Sequence, residues 1–103
     1  MAESAPGGDQ PVLTMTGDVD IATEPEWRRQ GRQLLQTYPD MRQIVIDMAA
    51  VSFLDSRGMA VLVDLHTEAL RRGGKLTLLA VPRRVFKALN IAGLDQVFQI
   101  ESA

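Results

Sequence analysis

Residues 43–80 read QIVIDMAAVSFLDSRGMAVLVDLHTEALRRGGKLTLLA, and this stretch decides the fold. Its opening, Gln43-Ile-Val-Ile-Asp47, is a short apolar run with β-branched residues, the pattern of a strand buried on both faces. Residues 48–55 read as a loop ending in Phe53-Leu54-Asp55. From Ser56 to Arg72, Met59, Leu62, Val63, His66 and Leu70 recur at helical spacing, and Val61, Leu65 and Ala69 widen the stripe. That predicts a largely buried helix. Arg71 and Arg72 suit the negative end of its dipole, and Gly73-Gly74 supply a left-handed stop. Lys75 to Ala80 is again a strand.

Working outward, Val12-Leu-Thr-Met-Thr16 alternates apolar residues with threonine and stops at Gly17, which predicts a first strand. Thr23-Glu-Pro-Glu starts a helix, with Thr23 as N-cap and acids at the positive end of the dipole. Trp27, Gly31, Leu34, Leu35 and Tyr38 share one face of it, and Glu24, Arg28 and Arg32 line the other. Downstream, Pro82 to Asn90 is a short helix, Gly93-Leu94-Asp95 a turn, and Val97 to Ile100 the last strand. Residues 1–10 are small, polar and turn-forming, and predict a loose tail before a domain over residues 11–103. The expected fold is α/β: one domain with a mixed β-sheet and helices packed against it, in the order β-α-β-α-β-α-β.

Composition narrows the function. The chain has 103 residues, 46% of them hydrophobic and 23% charged, which is ordinary for one globular domain. A net charge of −2, with no basic block longer than a pair, argues against nucleic acid as a partner. The absence of cysteine removes disulfides, thiolate metal sites and thiol catalysis. No apolar run approaches the roughly 20 residues needed to span a membrane, and the start lacks the regions of a signal peptide. The expectation is a cytoplasmic domain without membrane insertion.

Candidate chemistry collects where strands meet helices, the place α/β folds use for their sites. Gly17-Asp18-Val19-Asp20 follows the first strand, Asp47 closes the second, and Asp55-Ser56-Arg57-Gly58 opens the central helix. Asp20 and Asp47 suit turns, and Asp55-Ser56 suits an N-cap pair. A serine on the first turn of a helix is also exposed and rigidly held. Free N–H groups there would receive a phosphate, so its charge would act outward on whatever docks. Gly58, without a side chain, would let a partner's backbone come close. Enzyme chemistry fits poorly. His66, the single histidine, lies about 15 Å along the helix from Ser56, too far for a serine–histidine pair. Asp18 and Asp20 alone do not make a metal site, no phosphate-cradling glycine loop occurs, and Trp27 and Phe53 read as core. No catalytic residue, metal or cofactor is expected.

These residues resemble a known family. Gly17-Asp18-Val19-Asp20 is similar to the Gly-Glu-Leu-Asp signature of STAS domains, with Asp18 for the glutamate. Val51-Ser-Phe-Leu-Asp-Ser-Arg-Gly-Met59 resembles that family's phosphorylation-site stretch, and Arg57 stands where relatives often carry a small residue. Gly73-Gly74-Lys75-Leu76, Pro82-Arg83-Arg84-Val85 and Ala92-Gly93-Leu94-Asp95 follow the same pattern, in order, over residues 12–100. Many relatives continue into another helix after the last strand, which implies a more exposed closing strand here and a monomer or weak dimer.

The resemblance implies an anti-sigma factor antagonist. Such a protein binds an anti-sigma factor that is also an ATP-dependent serine kinase, and docking frees the sigma factor. The kinase then phosphorylates the serine, here Ser56, the complex separates, and a phosphatase resets it. Asp18, Asp20, Asp55, Arg57, Gly58 and Met59 are the implied partner-binding residues. A second reading within the family is an accessory subunit on the ATPase of a lipid-transport ABC transporter. A phosphorelay receiver is excluded by chemistry, because it needs a lysine late in the chain and none follows Lys87.

Overall fold

The stretch from Gln43 onward folds as a strand, a helix and a parallel strand, and the remaining elements repeat that unit on either side. A computed structural model describes residues 10–102. Of the tail expected over residues 1–10, all but Gln10 lies outside the described residues. The elements are β1 (Val12–Val19), α1 (Glu24–Thr37), β2 (Gln43–Leu54), α2 (Ser56–Arg71), β3 (Lys75–Val81), α3 (Arg83–Ile91), a 3₁₀ turn (Leu94–Gln96) and β4 (Gln99–Ser102). The strands lie in the order β1-β2-β3-β4, every neighbouring pair parallel. The α/β class and element order hold, but the sheet is parallel throughout rather than mixed.

One core joins the inward side chains of the strands, such as Met15, Ile46, Met48 and Leu78, to Trp27 of α1, Leu62 of α2 and Leu89 of α3. The three helices therefore share one face of the sheet, as right-handed crossovers between sequential strands require. Each fully buried aliphatic side chain contributes roughly 1.5–3 kcal/mol. Among the described residues no element covers the other face. Val45 and Asp47 lie there half-buried, so β2 is buried on one face only. Phe53, expected in the core, is exposed on that face, in register with Asp18.

β2 is also longer than its apolar run. Its pairing with β1 passes from Thr14↔Asp47 to Thr16↔Ala50, then from Gly17↔Val51 to Asp18↔Phe53. At each step β2 advances one residue more than β1, the signature of a β-bulge. Two bulges carry the strand through the expected loop and reset which side chains face inward, so Met48, Val51 and Leu54 are all buried. β1 likewise runs past Gly17, whose φ of +69° absorbs the irregularity instead of ending the strand.

The helices sit close to the sequence reading, with three shifts. On α2 the buried stripe is Gly58, Val61, Leu62, Leu65 and Ala69, and Leu70 is 57% exposed. Tyr38 lies beyond the end of α1 and is exposed. Pro82 caps α3 rather than beginning it, and Val97-Phe98 belong to the turn before β4.

Candidate functional site

The carboxyl ends of β1 and β2 and the start of α2 form one rim, because parallel strands end on the same edge of the sheet. Asp55 ties the rim together. Its Oδ1 accepts from the N–H groups of Arg57 (2.9 Å) and Gly58 (3.0 Å), and its Oδ2 from the N–H of Ile21 (3.2 Å). Its own N–H donates to the Val19 carbonyl at 3.2 Å. One carboxylate thus caps α2 and fixes the loop after β1.

Asp20 performs the same task for α1. Its Oδ1 accepts from the N–H groups of Ala22 (3.0 Å) and Thr23 (3.1 Å), and its carbonyl from that of Glu24 (2.8 Å). Thr23 holds the N-cap position without capping through its side chain. Its hydroxyl donates to the Asp18 carbonyl at 2.8 Å and accepts from the Asp20 N–H at 3.0 Å. The loop is therefore a closed set of backbone bonds, with the Asp18 side chain exposed at its edge.

Gly58 departs from its expected role. It is buried, and a Cβ there would overlap the Val19 carbonyl oxygen and stand 2.7 Å from Leu54 Cδ1 and 2.9 Å from Val19 Cγ1. The backbone it admits is β1's own, so it positions α2 rather than receiving a partner. Met59 is half-buried and packs against the core.

Ser56 is exposed at the first position of α2, and no side-chain hydrogen bond engages its hydroxyl among the described residues. Of the N–H groups expected to receive a phosphate, those of the three residues after Ser56 are already occupied. Those of Arg57 and Gly58 bond Asp55 Oδ1, and that of Met59 bonds the Asp55 carbonyl at 2.9 Å. Arg57 leans away across the rim, its Nη1 at 3.5 Å from Glu24 Oε1. Glu24 is held more firmly by Arg28, whose Nε lies 2.7 Å from Oε2, and Arg28 also pairs with Asp64. Those two carboxylates, Asp64 before Glu24, push the Arg28 guanidinium above its usual range. Ile21, which the sequence reading passed over, is 64% exposed beside Asp55 and is, with Phe53, an exposed apolar side chain at the rim.

The remaining candidates do not join this rim. Asp47 accepts the Ala49 N–H at 2.9 Å within the first bulge of β2. His66 stacks edge-on to Phe98, with ring centroids 5.5 Å apart. Among the described residues no group of three or more histidine, cysteine or acidic side chains is placed to hold a metal ion, and no helix is long and apolar enough to cross a membrane.

The one-sided βα sheet and the sequence of its rim define the class of domain. The chain belongs to the STAS domain family, whose model matches residues 4–103. It is 29% identical over 92 residues to the anti-sigma-B factor antagonist of Listeria monocytogenes, a match covering 87% of this chain and 77% of that protein. The crystal structure of an anti-sigma factor antagonist from Mycobacterium paratuberculosis superposes with a TM-score of 0.78 at 22% identity, covering 98% of this chain and 92% of that one. The anti-sigma factor antagonist SpoIIAA in its unphosphorylated form gives 0.71 at 20% identity, over 89% and 77% of the two chains.

Proposed function

We propose that this protein is an anti-sigma factor antagonist without catalytic activity, switched at Ser56. Its rim docks on an anti-sigma factor that is also a serine kinase, and a sigma factor is released. In the reverse step the terminal phosphoanhydride bond of ATP breaks and a Ser56 Oγ–P bond forms. ADP leaves, and the hydroxyl proton passes to the kinase. The new charge of about −1.5 to −2 then lies beside Asp55, Asp20 and Asp18 and weakens the docking until a phosphatase removes it. Asp18, Asp20, Arg57, Met59 and Ile21 face the partner, and the cycle runs in the cytoplasm.

The observation that carries this reading is the placement of Ser56, exposed and unengaged on a first turn locked by Asp55 and Gly58. Charge added there changes the surface without melting the helix. The test is capture from host lysate with wild-type bait beside Ser56→Glu, the retained proteins being identified by mass spectrometry. Retention of a kinase-like anti-sigma factor by wild type, weakened in the variant, supports the switch. Glutamate adds only about one charge, so partial loss is the expected result. Equal retention by both baits, or capture of a transporter ATPase instead, defeats the reading.

A further inference from the structure

We propose that Arg57 is the counter-ion of phosphorylated Ser56, held in reserve on Glu24 and exchanged from that carboxylate to the phosphate when the serine is modified. The inference rests on the reading of Ser56 as the phosphorylated residue and adds a regulatory part to it.

The argument begins with what a phosphate would find at the start of α2. The usual anion receptor of a helix N-terminus is its unpaired N–H groups. Here Asp55 occupies those of Arg57 and Gly58, and the Met59 N–H closes the first helical bond. Beyond the N–H of Ser56 itself, a phosphate there therefore meets a carboxylate in place of free donors. Either it displaces Asp55, which would release α2 and the Ile21 loop together, or a cation comes to it.

The charged groups around the rim narrow that choice. Asp18, Asp20 and Asp55 are acids at the ends of β1 and β2. Arg28 on α1 is engaged by both Glu24 and Asp64. Arg83 and Arg84 begin α3, one strand further along the sheet. Arg57 follows the serine directly in the chain, its side chain is 58% exposed, and its single contact with Glu24 is long at 3.5 Å. Glu24 loses little when Arg57 leaves, because Arg28 stays on its other oxygen at 2.7 Å. A guanidinium offers a fork that suits phosphate better than a single long contact. The arrangement is a loosely held cation beside a site that lacks one.

The consequence is a graded switch. Arg57 would offset part of the phosphate charge, so phosphorylation would weaken docking less in the wild-type chain than in Arg57→Gln.

The test places phosphoserine at position 56 during translation of the full chain and follows its second ionisation, ordinarily near pH 6, by ³¹P NMR at low salt. A cation favours the dianion, so the midpoint in the wild-type background should lie about 0.3–0.5 pH unit below that of Arg57→Gln, the size of a solvent-exposed ion pair. Glu24→Gln removes the competitor and should lower the midpoint further. Most of that second shift should vanish in the double variant, which separates exchange from the simple loss of a nearby charge. Coincident titrations of wild type and Arg57→Gln overturn the proposal. An effect of Glu24→Gln that persists unchanged without Arg57 overturns the exchange. Because translation supplies the phosphoserine, the titration does not depend on any partner. A failed lysate capture with the coupling intact defeats the docking reading alone.

Discussion

The two ends of α2 use the same construction for opposite purposes. At its start Gly58 lets the helix meet the Val19 carbonyl, and the Asp55 carboxylate satisfies N–H groups of α2 and of the loop after β1. At its finish a Cβ on Gly74 would overlap the Arg42 carbonyl oxygen. There the Arg72 guanidinium donates to the carbonyls of Tyr38 (3.0 Å), Met41 (3.0 Å) and Leu35 (3.3 Å) while its Nε holds Glu68 at 2.9 Å. Each end pairs a glycine for close approach with a charge suited to the helix dipole, and each charge also satisfies backbone groups of a neighbouring segment. The difference lies in what remains exposed. The arginine end closes over the carbonyls it serves, whereas the aspartate end leaves a free serine hydroxyl on the surface. With one end rigid and closed and the other rigid and open, charge added at Ser56 would be felt outside the molecule.

The largest expected effect comes from the glycines. Gly58→Ala should cost about 3 kcal/mol in urea denaturation, because the overlap is with backbone inside the sheet as well as with Leu54 and Val19 side chains. Gly74→Ala should cost about 2 kcal/mol, since Arg42 lies in a connection between elements that can shift. The reverse order would show the closed end to be the stiffer one. Next, Arg72→Ala should cost about 2 kcal/mol by leaving three carbonyls short of a donor, against about 1 kcal/mol for Asp55→Ala, a typical N-cap loss. Parity of the two would mean that the bond from Asp55 to Ile21 adds as much stability as the cap itself.

A pH effect separates the ends more finely. Arg71, then Arg72, hold the Glu68 carboxyl below its ordinary value of 4.5. A lowered folded-state value means that this contribution is fully present above 4.5 and is lost as the pH falls through the folded value. In Arg72→Ala the fall in denaturation midpoint on acidification below pH 4.5 should be shallower than in wild type. The smallest effect is at the open end. Ser56→Ala should change stability by less than about 0.5 kcal/mol, as surface substitutions do, while abolishing any phosphate-dependent loss of partner binding. A larger stability loss would make Ser56 part of the cap.

The comparison also explains what the sequence could reveal. The alternation of strands and helices is legible because Gln43–Asp47 is a short β-branched apolar run, Ser56–Arg72 keeps a helical period up to Gly73, and Lys75–Ala80 stops just before Pro82. β2 was read short because Met48-Ala-Ala-Val51 spans a bulge, where neither a two-residue nor a helical period survives. Placing Phe53 in the core failed for the same reason, since the second bulge turns it to the uncovered face. Asp55 was legible as a cap because capping is local, but its bond to Ile21 spans 34 positions and leaves no periodic trace. Gly58 and Arg72 show the same limit. Their residue types suited a helix start and a helix end, and only the packing of β1 and α1 against them shows what they touch.

The one-sided sheet with its sequential strand order has a consequence for cooperativity. Each strand pairs only with the strands before and after it in the chain, although all of them share one core. Neither edge is closed by a returning strand. The 12-residue β2 sits inside the sheet while the 4-residue β4 forms an edge, so backbone protection against solvent exchange should decline from β2 toward the carboxyl end. The serine rim lies at the ends of β1 and β2, away from β4, so local fraying at that far edge can proceed without loosening the rim.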